Sequence, residues 1–326
     1  MLAIAGLAIL HGAVAAAVVE SLLRLWRVQD PAERLALRWL ALTAPLFLPP
    51  VFRLLAPVRG TDGFATSWAV FAGAHWDVIR IGGGGLAAVA TAIFGATGAL
   101  LYLRDALPFL GDRIHGRGDP PLPATHPVVI RVRALLDELA RSMGAAAPPA
   151  LAVIARDEPT LLCTGADTPT VVVSLGTIGR LDEDALSAAL AHELAHAAHR
   201  DPLAGWALMV FRTFAFFSPA AQIVARQIVQ EVEYRADVAA ARGGRSAALG
   251  RAIAALAGAP GADTDLAPPA AGPGRSRRIL DRAEREALGA RCARVFDAPE
   301  PQRSGIGPFR LAIAACGLAA LLFFIV

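Results

Sequence analysis

Four apolar runs, at 1–19, 39–58, 81–103 and 311–326, constrain this chain before any other feature does. A helix of about 20 apolar residues is what crosses the hydrocarbon of a bilayer. The run at 1–19 carries no formal charge and has no basic segment ahead of it, so it reads as a retained anchor rather than a cleaved signal. The run at 39–58 contains Pro45, Pro49, Pro50 and Arg53, whereas 81–103 is uncharged throughout. The last run completes a span by drawing in 306–309 across Arg310. Composition agrees: 55% of the 326 residues are hydrophobic and 18% charged, with a mean hydropathy of +0.50. A soluble domain carries about a quarter charged residues. The expectation is a mostly α integral membrane protein with one modest soluble part, in contact with a lipid bilayer.

Arginines near the span ends set the expected orientation. The 20–38 loop holds Arg24, Arg27, Arg34 and Arg38; the 59–80 loop holds only Arg59 and Arg80; Arg104, Arg113, Arg117, Arg131 and Arg133 follow the third span. This predicts a multi-pass protein of a bacterial inner membrane, its soluble part facing the cytoplasm. Basic residues are all arginine, as expected of a GC-rich bacterial genome, and a net charge of +3 suggests no nucleic-acid partner. Cys163, Cys292 and Cys316 are too scattered for a disulfide framework or a cysteine zinc site. The expected division is a three-span region at 1–105, a soluble domain at 106–256, a loop and short helix at 257–305, and a terminal span at 306–326.

Within the soluble part, a Pro/Gly hinge at 116–127 precedes a helical pattern at 128–142. The runs ALAVIA, TLLCTG and TVVVSLG, separated by Pro, Asp and Gly, predict three strands of a small sheet. A helix over 182–199 follows, with Asp182, Glu183 and Asp184 suited to its positive end. The stretch 203–225 is apolar but holds Arg212 and Pro219, and reads either as a dip into the bilayer or as a helical pair. A further helix is expected at 228–242, a loose loop at 257–278 and a short charged helix at 280–295. The glycines at 82–85 lack a following Gly-Lys-Ser/Thr and read as close helix packing rather than a phosphate loop. The RGD at 117–119 reads as chance, and His11, His75, His115 and His126 receive no role.

The chemistry lies in AHELAHAAHRD, at 191–201. On a helix, residues four apart differ by about 40° around the axis and about 6 Å along it. His192 and His196 therefore project together and can converge on one zinc ion. Glu193, turned by about 100°, falls beside the metal, where a general base for a metal-bound water belongs. The downstream EVEYRAD, at 231–237, offers a third ligand. Glu233 and Asp237 share a face, so Glu233 can complete the triad while Asp237 orients a ligand histidine. Glu231 is the competitor, about 200° from Glu233, so only one of the two can face the metal. His199 shares the histidine face but lies about 10 Å along the axis from His192, an awkward reach for a third ligand. Cys163 reads as a small buried residue before it reads as a metal ligand, and Tyr234, Arg235 and His199 are candidates for stabilising an oxyanion.

HELAHAAHRD, the preceding TVVVSLGTIGRLDEDALSAALA and the later EVEYRADVAAA resemble membrane zinc metallopeptidases of the HtpX and CAAX-prenyl-protease type. The resemblance covers about 150–257 and implies zinc ligands at His192, His196 and Glu233, a catalytic Glu193, and an aspartate behind a ligand histidine at Asp237. The amino-terminal spans are similar to those of beta-lactam sensor-transducer (BlaR/MecR) metallopeptidases, without their sensor domain. One departure is TLLCTG, which stands where HtpX-type enzymes carry an Asn-Ala-Phe-Ala-Thr-Gly-like stretch, with Thr160 in the Asn place. The implied fold is a zincin-like α+β metallopeptidase domain, its small sheet packed on the zinc-binding helix. The implied function is a gluzincin-type zinc endopeptidase, one Zn2+ per chain, acting on protein or peptide substrates. The alternatives are a signalling protease that cleaves a cytoplasmic repressor and a non-catalytic scaffold that retains zinc.

Overall fold

The computed structural model describes residues 2–72, 80–81, 84–115, 119–145, 147–165, 167–257 and 307–326. His75, the glycines at 82–83, the hinge residues 116–118, most of the expected loop at 257–278, the expected helix at 280–295 and Cys292 lie outside the described residues. The chain is mostly helical. Its elements are α1 (Leu2–Leu25), α2 (Pro31–Leu55), α3 (Asp62–Ser67), α4 (Leu86–His115), α5 (Pro127–Ser142), β1 (Ala150–Ile154), β2 (Leu161–Thr164), β3 (Thr170–Ser174), α6 (Leu175–Arg180), α7 (Glu183–His199), α8 (Asp201–Phe214), α9 (Pro219–Ala241), α10 (Ser246–Ala257) and α11 (Gly307–Phe323). These fall into two compact units. The first comprises Met1–Ala106, Leu208–Val232 and Gln302–Val326; the second comprises Leu107–Ala207 and Glu233–Pro301.

The first unit is built on apolar helices. Two of them, at Ala5–Leu25 and Pro31–Leu55, are long and apolar enough to cross a membrane. The apolar stretches Ala88–Arg104 and Gly307–Phe323 are shorter. Helix α2 starts earlier than the apolar run at 39–58 suggests. Asp30 caps it by accepting from the Ala32 amide at 2.9 Å, and Pro31 occupies the first turn, where a missing N–H removes no helical bond. The charges this adds to the helix are matched. Arg310 reaches Glu33 at 3.3 Å, and Arg34 and Arg38 reach the buried Glu231 at 2.7 and 3.2 Å. Arg38 also donates to Gln227 at 2.5 Å. Around them pack Leu37, Leu42, Leu23, Val224 and Ile228.

The stretch read as either a bilayer dip or a helical pair forms a pair, α8 and α9. Its corner is fixed by Gln222, which accepts from Arg212 Nε at 3.0 Å and donates to the Ala215 carbonyl at 3.2 Å. Thus the arginine inside an apolar run is satisfied by its own hairpin.

In the second unit, the three expected strands form one mixed sheet with β3 in the middle. β1 runs parallel to it, Ala150 opposite Thr170 through Ile154 opposite Ser174; β2 runs antiparallel, Leu161 opposite Val173 through Thr164 opposite Thr170. The β-branched residues of β3 suit a pleated, buried position, and Val171 and Val173 are fully buried. Gly165, at φ +91°, makes the turn after β2. The run TVVVSLG, expected to be strand throughout, is strand only to Ser174, where β3 passes directly into the short helix α6. Ser174 caps α6 through Thr177 N at 3.1 Å, and its hydroxyl also meets Thr160 N at 2.9 Å and the Glu158 carbonyl at 2.8 Å. Gly176 is required there, because a Cβ would lie 1.9 Å from the Asp157 carbonyl oxygen.

Helix α7 runs through the centre of this unit. Asp182 caps it, accepting from Ala185 N at 2.7 Å. Residues 188–197 are all buried, and Ala185, Ala188, Ala189, Ala191 and Ala195 keep its surface low, so that α5, α10 and the sheet pack closely on it. Leu139, Val173, Leu186, Leu190 and Leu249 fill the spaces between.

Candidate metal centre

The i,i+4 spacing places His192 and His196 side by side near the carboxyl end of α7. Their Nε2 atoms are 3.0 Å apart. Glu233, on α9, brings one carboxylate oxygen to 3.5 Å from His192 Nε2 and the other to 3.5 Å from His196 Nε2. Among the described residues, these three form the one group of His, Cys, Asp or Glu side chains able to hold a metal, with donor atoms within 4.8 Å of one another. The donor set fits zinc. Two zinc–nitrogen bonds of about 2.1 Å at a tetrahedral angle separate the nitrogens by about 3.4 Å, close to what the side chains already adopt. Two imidazoles and a carboxylate are also the ligand types zinc takes in catalytic sites.

The far side of each imidazole is held. Asp237, 2% exposed, approaches His192 Nδ1 at 2.9 Å, and Asp201 approaches His196 Nδ1 at 2.8 Å. In a neutral ring the nitrogen facing a carboxylate carries the hydrogen, which leaves the Nε2 lone pairs toward the group. Asp201 was not singled out in the sequence. It reaches His196 because Arg200, at φ 54°, takes the left-handed conformation at the end of α7 and turns the chain sharply into α8. The signal was an aspartate five residues after the second histidine, just past the helix end. Behind Asp201 stands Arg235, in close contact with its other carboxylate oxygen.

Burial alone would lower the pKa of His192. Its hydrogen bonds to the Asp237 and Glu233 carboxylates, and their charges, overcome it and raise the ring to about 10. The two carboxylates thus favour the protonated form of this ring.

Glu193 is buried on the same helix, one residue from His192. Its carboxylate and that of Asp201 act on Cys163 of β2. Burial first, then these two charges, push the thiol up to about 12. Cys163 is therefore a neutral thiol and lies outside the metal group. His199 is exposed and its ring donates to the Ala195 carbonyl at 2.7 Å, on its own helix rather than toward the group. Glu231 is buried against Arg34 and Arg38, as far from a free ligand as a carboxylate can be. Arg235, an oxyanion candidate in the sequence, is engaged with Asp201.

Residues 129–286 match the family model of Peptidase family M48. A "Protease HtpX homolog" from Acidiphilium cryptum (strain JF-5) is 39% identical over 83 residues, which is 25% of this chain and 29% of that protein. The chain thus matches under a third of the length of that curated relative. The unit that carries the paired histidines and Glu233 lies largely within the family match, and M48 peptidases are metallopeptidases. The region at 129–286 accordingly matches Peptidase family M48, and the chain resembles HtpX-type membrane metallopeptidases.

Proposed function

We propose that this chain is a zinc-dependent membrane endopeptidase of the gluzincin type, hydrolysing peptide bonds of membrane or membrane-associated proteins. The observation that carries the reading is the convergence of His192 Nε2, His196 Nε2 and both Glu233 oxygens on one point, with Glu193 buried alongside. Zinc, held by those three side chains, would supply a Lewis acid that polarises the scissile carbonyl and acidifies water. The chain's own residues do the rest. Glu193 takes the proton of the attacking water and passes it to the leaving amine. Asp237 and Asp201 keep the two rings turned so that their Nε2 atoms face the group.

The membrane part of the proposal rests on two helices long and apolar enough to span, together with the arginine bias of the loops. It places the chain in a bacterial inner membrane in several passes, with a three-span region at 1–105, a terminal span at 306–326 and the metallopeptidase unit on the cytoplasmic side. The test is elemental analysis of the purified protein combined with proteolysis of a panel of membrane proteins, with Glu193→Gln as control. One zinc per chain and cleavage lost in the control support the reading; absence of zinc at neutral pH sinks it.

A further inference from the structure

The proposed ligands come from two helices separated by a long detour. His192 and His196 lie on α7; Glu233 lies on α9, after the chain has left the second unit at 208 and returned at 233. Something must hold the returning helix in register with the first. The side chains present supply a continuous link: His196 Nδ1 meets Asp201 Oδ2 at 2.8 Å, and Asp201 Oδ1 pairs with Arg235, two residues beyond Glu233. Asp201 opens α8, the helix on which the chain departs, and Arg235 sits on α9, the helix on which it returns.

We infer that Asp201 and Arg235 are positioning residues that hold His196 and Glu233 in register before any metal arrives. This inference rests on the metallopeptidase reading. Each link is short and largely buried: the Asp201 side chain is 7% exposed, that of His196 11% and that of Arg235 19%. A carboxylate that serves an imidazole with one oxygen and a guanidinium with the other is fixed in orientation as well as position. The left-handed Arg200 gives the link its direction, since a helix continued straight past His199 would carry residue 201 away from the Nδ1 side of His196. The two histidines are therefore supported differently. His192 is held by Asp237, four residues from Glu233 on the same returning helix, while His196 is held through a two-part clip that joins both crossings of the chain.

The experiment uses the full chain in detergent and reads zinc affinity by chelator competition, alongside thermal unfolding of the zinc-free protein. Arg235→Met and Asp201→Asn are each expected to weaken zinc by about 10–100-fold. Arg235→Lys should recover part of the loss, since an ammonium can pair with one oxygen of Asp201 but lacks the guanidinium fork. The double variant should be no weaker than the weaker single, because both changes break one link. If Arg235→Met fails to fold, Arg235→Lys carries the decision by the same measurement. A lower melting temperature with zinc affinity within about twofold of the parent, or losses that add in full, overturns the inference. A parent protein that takes up no zinc would instead remove the metallopeptidase reading beneath it.

Discussion

Glu231 and Glu233 stand two residues apart on α9, turned from each other by about 200°. One is buried against Arg34 and Arg38 at 2.7 and 3.2 Å; the other sets its oxygens 3.5 Å from two imidazole nitrogens. An arginine keeps its proton at any working pH, so the charge of Glu231 is permanently answered and the cluster is closed. An imidazole can release its proton, so the charge of Glu233 can be answered by protons at one moment and a divalent cation at another. The difference teaches how to tell a structural ion pair from a proposed metal ligand on the same helix turn: by whether the partner can surrender its charge.

The sharpest way to separate the two glutamates begins with the residue beside them in function. Glu193→Gln should lower peptide hydrolysis by at least about 10²–10⁴-fold while zinc stays bound, since the amide cannot take a proton. A parallel loss of metal and activity would show that Glu193 is a ligand and not a base. Next come the ligand variants. His192→Ala, His196→Ala and Glu233→Ala should each purify with far less than one zinc per chain by elemental analysis; full occupancy in Glu233→Ala would move the third ligand elsewhere. Asp237→Ala should retain the site but bind zinc about 10–100-fold more weakly, read by chelator competition.

The pH dependence follows from His192. Its folded pKa is raised from 6.5 to about 10, so its contribution to the zinc-free fold is complete below 6.5 and fades as pH rises through 10. Zinc displaces that proton, and uptake near pH 7.5 should release it, which calorimetry in two buffers of different ionisation enthalpy detects; zero net release would contradict the shift. The smallest effect on the metal belongs to Glu231. Glu231→Gln should leave zinc affinity within about threefold of the parent, yet destabilise the helical unit by about 3 kcal/mol, because the buried Arg38 and the half-buried Arg34 lose their carboxylate. Zinc loss as deep as in Glu233→Ala would erase the distinction between the two.

Much of this was legible in the sequence for one reason: helical periodicity fixes which side chains share a face. It brought His192 to His196 and Glu233 to Asp237 without any knowledge of tertiary structure. The three strands were legible as β-branched runs bounded by Pro, Asp and Gly. Their order was not, because nothing in TVVVSLG says that it lies between the other two. Asp201 escaped for a related reason. Its meeting with His196 depends on a left-handed arginine, a backbone state that non-glycine residues adopt seldom and that periodicity assumes away. The link from Arg34 and Arg38 to Glu231 spans nearly 200 positions, and no local pattern encodes a partner at that separation.

The alanine surface of α7 has a consequence for how this protein should be mutated. Ala188, Ala189, Ala191 and Ala195 are at most 4% exposed, so a larger side chain at any of them must displace its neighbours. A saturation scan scored by activity will therefore mark almost the whole helix as intolerant, chemistry and packing alike. Alanine positions will fail through overpacking at about 1–3 kcal/mol each, and, on the proposed reading, the histidines and Glu193 will fail for lack of a ligand or a base. Only a second readout, metal content of each variant after purification in detergent, will resolve one helix of intolerant positions into the few proposed to do the chemistry and the many that merely let their neighbours come close.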